Sequence, residues 1–186
     1  MKSYLQSVIK QFKYYKMLGD KSISQLPEEQ IHWAPGKESN SIAVIVKHLR
    51  GNMLSRWTDF LTSDGEKFWR NRDGEFVDDI SDKGDLIKMW QEGWKCLFHA
   101  LENLEEKDLE NVVYIRNQGH TVIEAINRQL AHYSYHVGQI VYIARMIVGD
   151  KWQTLTIGKG NSETYNQEKF SQSKERTHFT DEFLDL

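Results

Sequence analysis

Apolar residues recur along most of this chain at the spacing of a helix rather than a strand. Over residues 3–25, Tyr4, Leu5, Val8, Ile9, Phe12, Tyr15 and Leu18 fall at i, i+3, i+4 and i+7. That stripe predicts a first helix, weakened near Gly19. Residues 26–40 hold both prolines of the chain, Pro27 and Pro35, and read as a turn-rich connection. Good N-cap residues lie within 39–41. After them Ile42, Ile45, Val46, Leu49, Met53, Trp57, Phe60 and Leu61 mark a second helix. From 62 to about 81 the period is lost among Asp-Gly turn signals, which predicts a long loop.

A third helix is predicted over 82–106, with Leu86, Met89, Trp90, Leu97, Phe98, Leu101 and Leu104 inward. Val112-Val113-Tyr114-Ile115 is a short extended piece. The fourth helix opens at Thr121, whose capping box with Glu124 satisfies backbone donors reciprocally, and closes near Val148 before Gly149. No proline follows Pro35, which permits helices of this length. Four amphipathic helices with no convincing strand ladder predict an all-α fold, a four-helix bundle over 1–165. The last 35 or so residues, with few inward anchors beyond Trp152, Leu155 and Ile157, are expected to run from an ordered strap into a loose tail, and 166–186 is set apart as a polar C-terminal tail. The connection between helices 2 and 3 is long enough for a crossover that lets them run parallel.

Composition narrows the partners. The net charge of −3, from 24 basic and 27 acidic side chains, argues against a partner bound by phosphate neutralisation, so no nucleic acid is expected. No apolar run approaches the roughly 18 residues of a membrane span, and the first residues lack the apolar stretch of a secretory signal. One cysteine, Cys96, forms no internal disulfide and reads as a buried residue of helix 3. A cytoplasmic chain with no membrane partner is the expectation.

Chemistry concentrates on helix 4. His132 and His136 are four residues apart, hence on one helical face, and two imidazoles so placed reach a single metal with bonds of roughly 2.0–2.1 Å. His48 supplies a third imidazole from helix 2, in a polar row that continues through Asn52, Ser55 and Asp59. Helix 4 carries a matching row of Arg128, His132, His136 and Gln139 beside Tyr135. Polar rows on core-facing helices need each other, because each unpaired buried polar group costs roughly 1–3 kcal/mol. Three imidazoles with one position left open are the ligand set of a catalytic zinc; nickel and iron also suit it. His32, His99, His120 and His178 read as structural.

On these residues the chain resembles the DinB/YfiT-like superfamily of metalloenzymes over roughly 1–165. The matching segments are Trp33-Ala34-Pro35, Ser39–Ala43, Lys47-His48-Leu49-Arg50-Gly51-Asn52, Asp64-Gly65-Glu66, Asn127–His132 and His136-Val137-Gly138-Gln139. The resemblance implies one divalent metal per chain on His48, His132 and His136 in a four-helix bundle, and commonly homodimers. It also implies transfer of a low-molecular-weight thiol, of the bacillithiol, mycothiol or glutathione type, to an electrophilic small molecule. A hydrolase on the same metal, or a non-catalytic metal-binding protein, are the alternatives.

Other groups are open to two readings. Asn52, Asp59 and Arg128 orient ligands or hold an anionic substrate, or else Asp59 and Arg128 pair to brace the bundle. Arg56, Arg70 and Arg72 form a solvated salt-bridge loop, or an anion-binding rim. Tyr135 is a core residue, or a hydroxyl acting on substrate. The glycines of 156–162 lack the spacing of a phosphate loop, although that segment is long enough to lie across the site as a lid. Trp33, Trp69 and Trp152 suit a dimer interface or an apolar pocket.

Overall fold

The computed structural model describes residues 2–184; Met1 and the last two residues of the predicted tail lie outside it. The chain is mostly helical. Its helices are α1 (Lys2–Ser24), α2 (Ile42–Trp57), α3 (Lys83–Glu102), α4 (Val122–Val148) and α5 (Ser162–Ser171), with one antiparallel hairpin of β1 (Val112–Ile115) and β2 (Gln118–Thr121). Side-chain oxygens start three of these helices, those of α2 and α4 as the sequence predicts. Ser41 accepts from the N–H of Val44, Asp82 from that of Asp85, and Thr121 and Glu124 form the reciprocal box. Gly149, at φ 59°, ends α4 in a conformation that costs glycine little.

Contacts between helices fix their directions. Arg50 pairs with Glu92 and Thr58 lies against Cys96, so partners advance together along α2 and α3 and the two run parallel. α1 and α4 also run parallel, from Tyr4 beside Asn127 to Gln25 beside Gln153. Between these pairs the sense reverses: Asp20 meets Trp90 while Phe12 meets Trp94. Parallel α2 and α3 require a crossover, and residues 58–82 supply it.

Phe12, Trp57, Trp94 and Tyr133 meet at the centre with ring centroids 5.9–6.5 Å apart in edge-on and tilted pairs. Each is at most 2 % exposed, so this aromatic knot is where all four long helices meet.

Four sequence expectations change. Gly19 does not weaken α1; an added Cβ there would lie 2.3 Å from the Trp90 ring, so this glycine serves close packing on α3. α2 stops at Trp57 rather than Leu61, because Asp59 takes a left-handed φ of 48° that no helix continues. The extended piece is one strand of a hairpin, closed by Arg116 and Asn117 at φ 56° and 60°. Asp64 accepts from both their N–H groups, at 2.9 and 2.8 Å, and this distant partner is why local propensity does not foretell the turn. The tail is not loose over its described residues: His178 meets Ser7, Asp181 meets Lys10, and Phe179 and Phe183 pack on Tyr14 of α1.

Candidate metal centre

α2 and α4 run antiparallel, and their predicted polar rows face each other at one end. His48 Nε2 lies 3.4 Å from His132 Nε2, which lies 3.1 Å from His136 Nε2. One ligand atom from each of the three falls within 4.8 Å of the others. A tetrahedral ion with bonds of 2.0–2.1 Å holds its nitrogens about 3.3 Å apart, so the spacing fits.

The outer nitrogens show why the lone pairs point inward. His48 Nδ1 lies 2.9 Å from a Glu75 carboxylate oxygen, and His136 Nδ1 lies 2.7 Å from Gln139 Oε1. Each partner is an acceptor, so each Nδ1 carries the proton and each Nε2 keeps its lone pair. His132 Nε2 sits between these two lone pairs and has one proton at most to share. A cation answers all three nitrogens, and the donor set therefore fits a divalent metal of borderline softness. Protonation is a poor substitute: burial, then the neighbouring His136 and His48, pull His132 down to about 3, and burial also lowers His136.

Sequence reasoning missed Glu75. It sits in the crossover, buried, and links His48 to Arg70, whose Nε and Nη2 donate to its two oxygens at 2.7 and 2.9 Å. Burial pushes the Glu75 carboxyl up, but hydrogen bonds from His48 and Arg70 outweigh it and hold the group below its ordinary 4.5. Arg70 is only 2 % exposed at its side chain, so it belongs neither to a solvated loop nor to a rim. Gly51 held a faint signal. A mid-helix glycine costs about 1 kcal/mol, and here an added Cβ would lie 2.2 Å from Glu75 Oε1.

The remaining predicted residues divide. Asn52 is buried in the site lining, its Oδ1 accepting from Tyr133, whose hydroxyl in turn accepts from Trp57 Nε1, both at 3.0 Å. Arg128 reaches the lining from α4 and bonds His120 Nε2 at 3.2 Å. Tyr135 is not a core residue: it is 62 % exposed at the mouth, against the His136 ring, and accepts from Gln139 Nε2 at 3.1 Å. Ser55 is diverted to the crossover, donating to the Gly65 carbonyl at 2.7 Å. Asp59 lies beyond the end of α2 in a separate pocket beside Cys96 and His99, so it neither reaches the histidines nor pairs with Arg128. Thr156, Ile157 and Lys159 line a different pocket, against Tyr14 and Arg145, and are no lid. No tryptophan lines the histidine pocket.

That pocket, of about 410 Å³, opens from the three imidazoles past Phe76 and Tyr135 to solvent. Phe76 stacks on the His48 ring, with centroids 5.0 Å apart at 28°. Two buried polar atoms of lining residues, Arg56 Nε and Gln129 Oε1, have no partner among the described residues, at a cost of about 1–3 kcal/mol each. Burial also lowers Arg56, although Glu66 opposes this.

No helix among the described residues is long and apolar enough to cross a membrane. Neither the curated proteins nor the solved structures include a match to this chain. A family model described as "Protein of unknown function (DUF1572)" matches residues 1–161, most of the chain and all three histidines. The chain therefore belongs to the DUF1572 family.

Proposed function

We propose that this chain is a divalent-metal-dependent enzyme on a DinB-like four-helix bundle, and that it transfers a low-molecular-weight thiol to an electrophilic small molecule. The convergence of three Nε2 atoms at ligand spacing, at the foot of an open pocket, carries the reading. His48, His132 and His136 would hold the ion, with zinc the best match to three imidazoles and nickel or iron compatible. Such an ion supplies positive charge at an open position, which favours the thiolate form of a thiol.

The chain's own residues perform the rest. Glu75 and Gln139 fix the tautomers of His48 and His136, so that neither ring turns its N–H toward the centre. Asn52, with Oδ1 engaged by Tyr133, offers its amide N–H groups to the pocket. Tyr135 takes a hydrogen bond from Gln139 on its oxygen and keeps its own O–H to give to an anion developing on the electrophile. The thiol comes from a cosubstrate. Cys96 lines the other pocket, and burial raises its thiol above the ordinary range.

The test is conjugation of monobromobimane by the zinc-loaded chain with glutathione, mycothiol or bacillithiol in turn. The expected result is a rate above the uncatalysed background with one thiol, removed by chelation and by His132→Ala. Background rates with all three thiols would contradict thiol transfer.

A further inference from the structure

Charge in the histidine pocket is far out of balance. Five arginines are among its lining residues, namely Arg56, Arg70, Arg72, Arg116 and Arg128, and no acidic residue is. Two carboxylates stand behind them. Glu75 serves Arg70 and His48, while a single oxygen of Glu66 meets Arg56, Arg70 and Arg116 at 3.1, 3.2 and 3.3 Å. Five guanidiniums against two carboxylates leave three positive charges in a chain whose net charge is −3.

The cations come from separate elements, and Arg72 and Arg128 have no carboxylate partner among the described residues. Arg72 flanks the crossover turn and lies over Phe76, 5.4 Å from its centroid, with Phe76 in turn stacked on His48. Arg128 projects from α4, one turn before His132, and its only hydrogen bond among the described residues is to His120. Arg116 stands in the hairpin turn. The buried Arg56 adds an Nε with no partner among the described residues. Guanidiniums on three elements around one opening, over an unsatisfied buried donor, form a receptor for an anion. Phe76 and Tyr135 leave apolar ring surface at the same mouth, which an organic acid covers and a small inorganic anion does not.

We propose that the molecule bound in this pocket carries a carboxylate, held by Arg72 and Arg128 at the mouth while its reacting end lies at the histidines. The assignment rests on the metal-enzyme reading in taking this pocket as the reaction site, and it adds the charge of the substrate.

The test is calorimetric titration of the zinc-loaded chain with succinate, its neutral isostere succinamide, and inorganic phosphate, with zinc content measured on the same samples. The variants are an Arg72→Gln/Arg128→Gln double substitution at two exposed positions, checked for helicity, and metal-free His132→Ala. Succinate is expected to bind the wild type about tenfold more tightly than the double variant at equal zinc content. Succinamide is expected not to bind, and succinate should still bind His132→Ala. Equal succinate affinity in wild type and double variant, succinamide binding as tight as succinate, or phosphate binding tighter than succinate would each overturn the proposal. Arginine-dependent succinate binding without zinc uptake would leave the carboxylate site standing and remove the metal enzyme. Zinc uptake without that dependence would do the reverse.

Discussion

Two irregular segments fold back on the long helices of this protein, and they are held by opposite means. The crossover, 58–82, lies on α2 and is tied by buried charge: Glu75 to Arg70 and His48, Glu66 to Arg56, and Ser55 to the Gly65 carbonyl. The segment 172–184, after α5, lies on α1 and is tied nearer the surface, by Lys10 with Asp181, by Glu182 with Lys169 of α5, and by rings on Tyr14. Buried ion pairs gain little net stability against the cost of desolvation, whereas breaking one is expensive. A fold needing only closure would use the cheaper surface device twice. The crossover is built the costly way because its carboxylate orients a histidine.

The largest expected effect breaks that contrast outright. Arg70→Ala leaves Glu75 buried without its bidentate partner and should lower stability by about 3–5 kcal/mol in denaturant titration. Glu75→Gln keeps the shape but removes the charge that holds the His48 tautomer. Zinc affinity measured by competition with a chelator should fall by roughly 10–100-fold, with helicity retained. Gly51→Ala should give a weaker copy of that result, since its methyl group displaces the same carboxylate.

Asp64 tests the crossover away from the metal. It accepts from the N–H groups of Glu66, Arg116 and Asn117, and Asp64→Ala should cost about 1 kcal/mol. Slight burial raises this carboxyl, but those backbone hydrogen bonds prevail and hold it below 3.8. The folded state therefore releases the proton more readily than the unfolded state. The stabilisation is full above the unfolded pKa and is lost as pH falls through the folded one. The Tm gap between wild type and Asp64→Ala should shrink from pH 6 to pH 3. Smallest of all, Asp181→Asn at the half-exposed tail contact should leave Tm unchanged within error. A large loss there would erase the difference between the two segments.

What the sequence made legible follows from range. Helical periodicity and caps are local, so α1 to α4, the Thr121 box and the Gly149 stop are all foretold. The histidines were legible because i, i+4 spacing on α4 and a polar residue among apolar ones on α2 are helix-face arguments. Glu75 was not, since a carboxylate in an irregular segment has no period to betray where it lands. Asp59 failed for the converse reason, as its place in the polar row assumed a helix that ends two residues earlier. The hairpin turn depends on Asp64, and the docking of the tail on α1, both partnerships across long stretches of sequence.

In the proposed enzyme three imidazoles hold one divalent ion and leave a position open. X-ray absorption on the zinc-reconstituted chain tests it most directly. Three imidazole nitrogens at roughly 2.0–2.1 Å with one further light-atom ligand are predicted, at one zinc per chain. Failure to take up zinc, or a closed shell of four protein ligands, would contradict it.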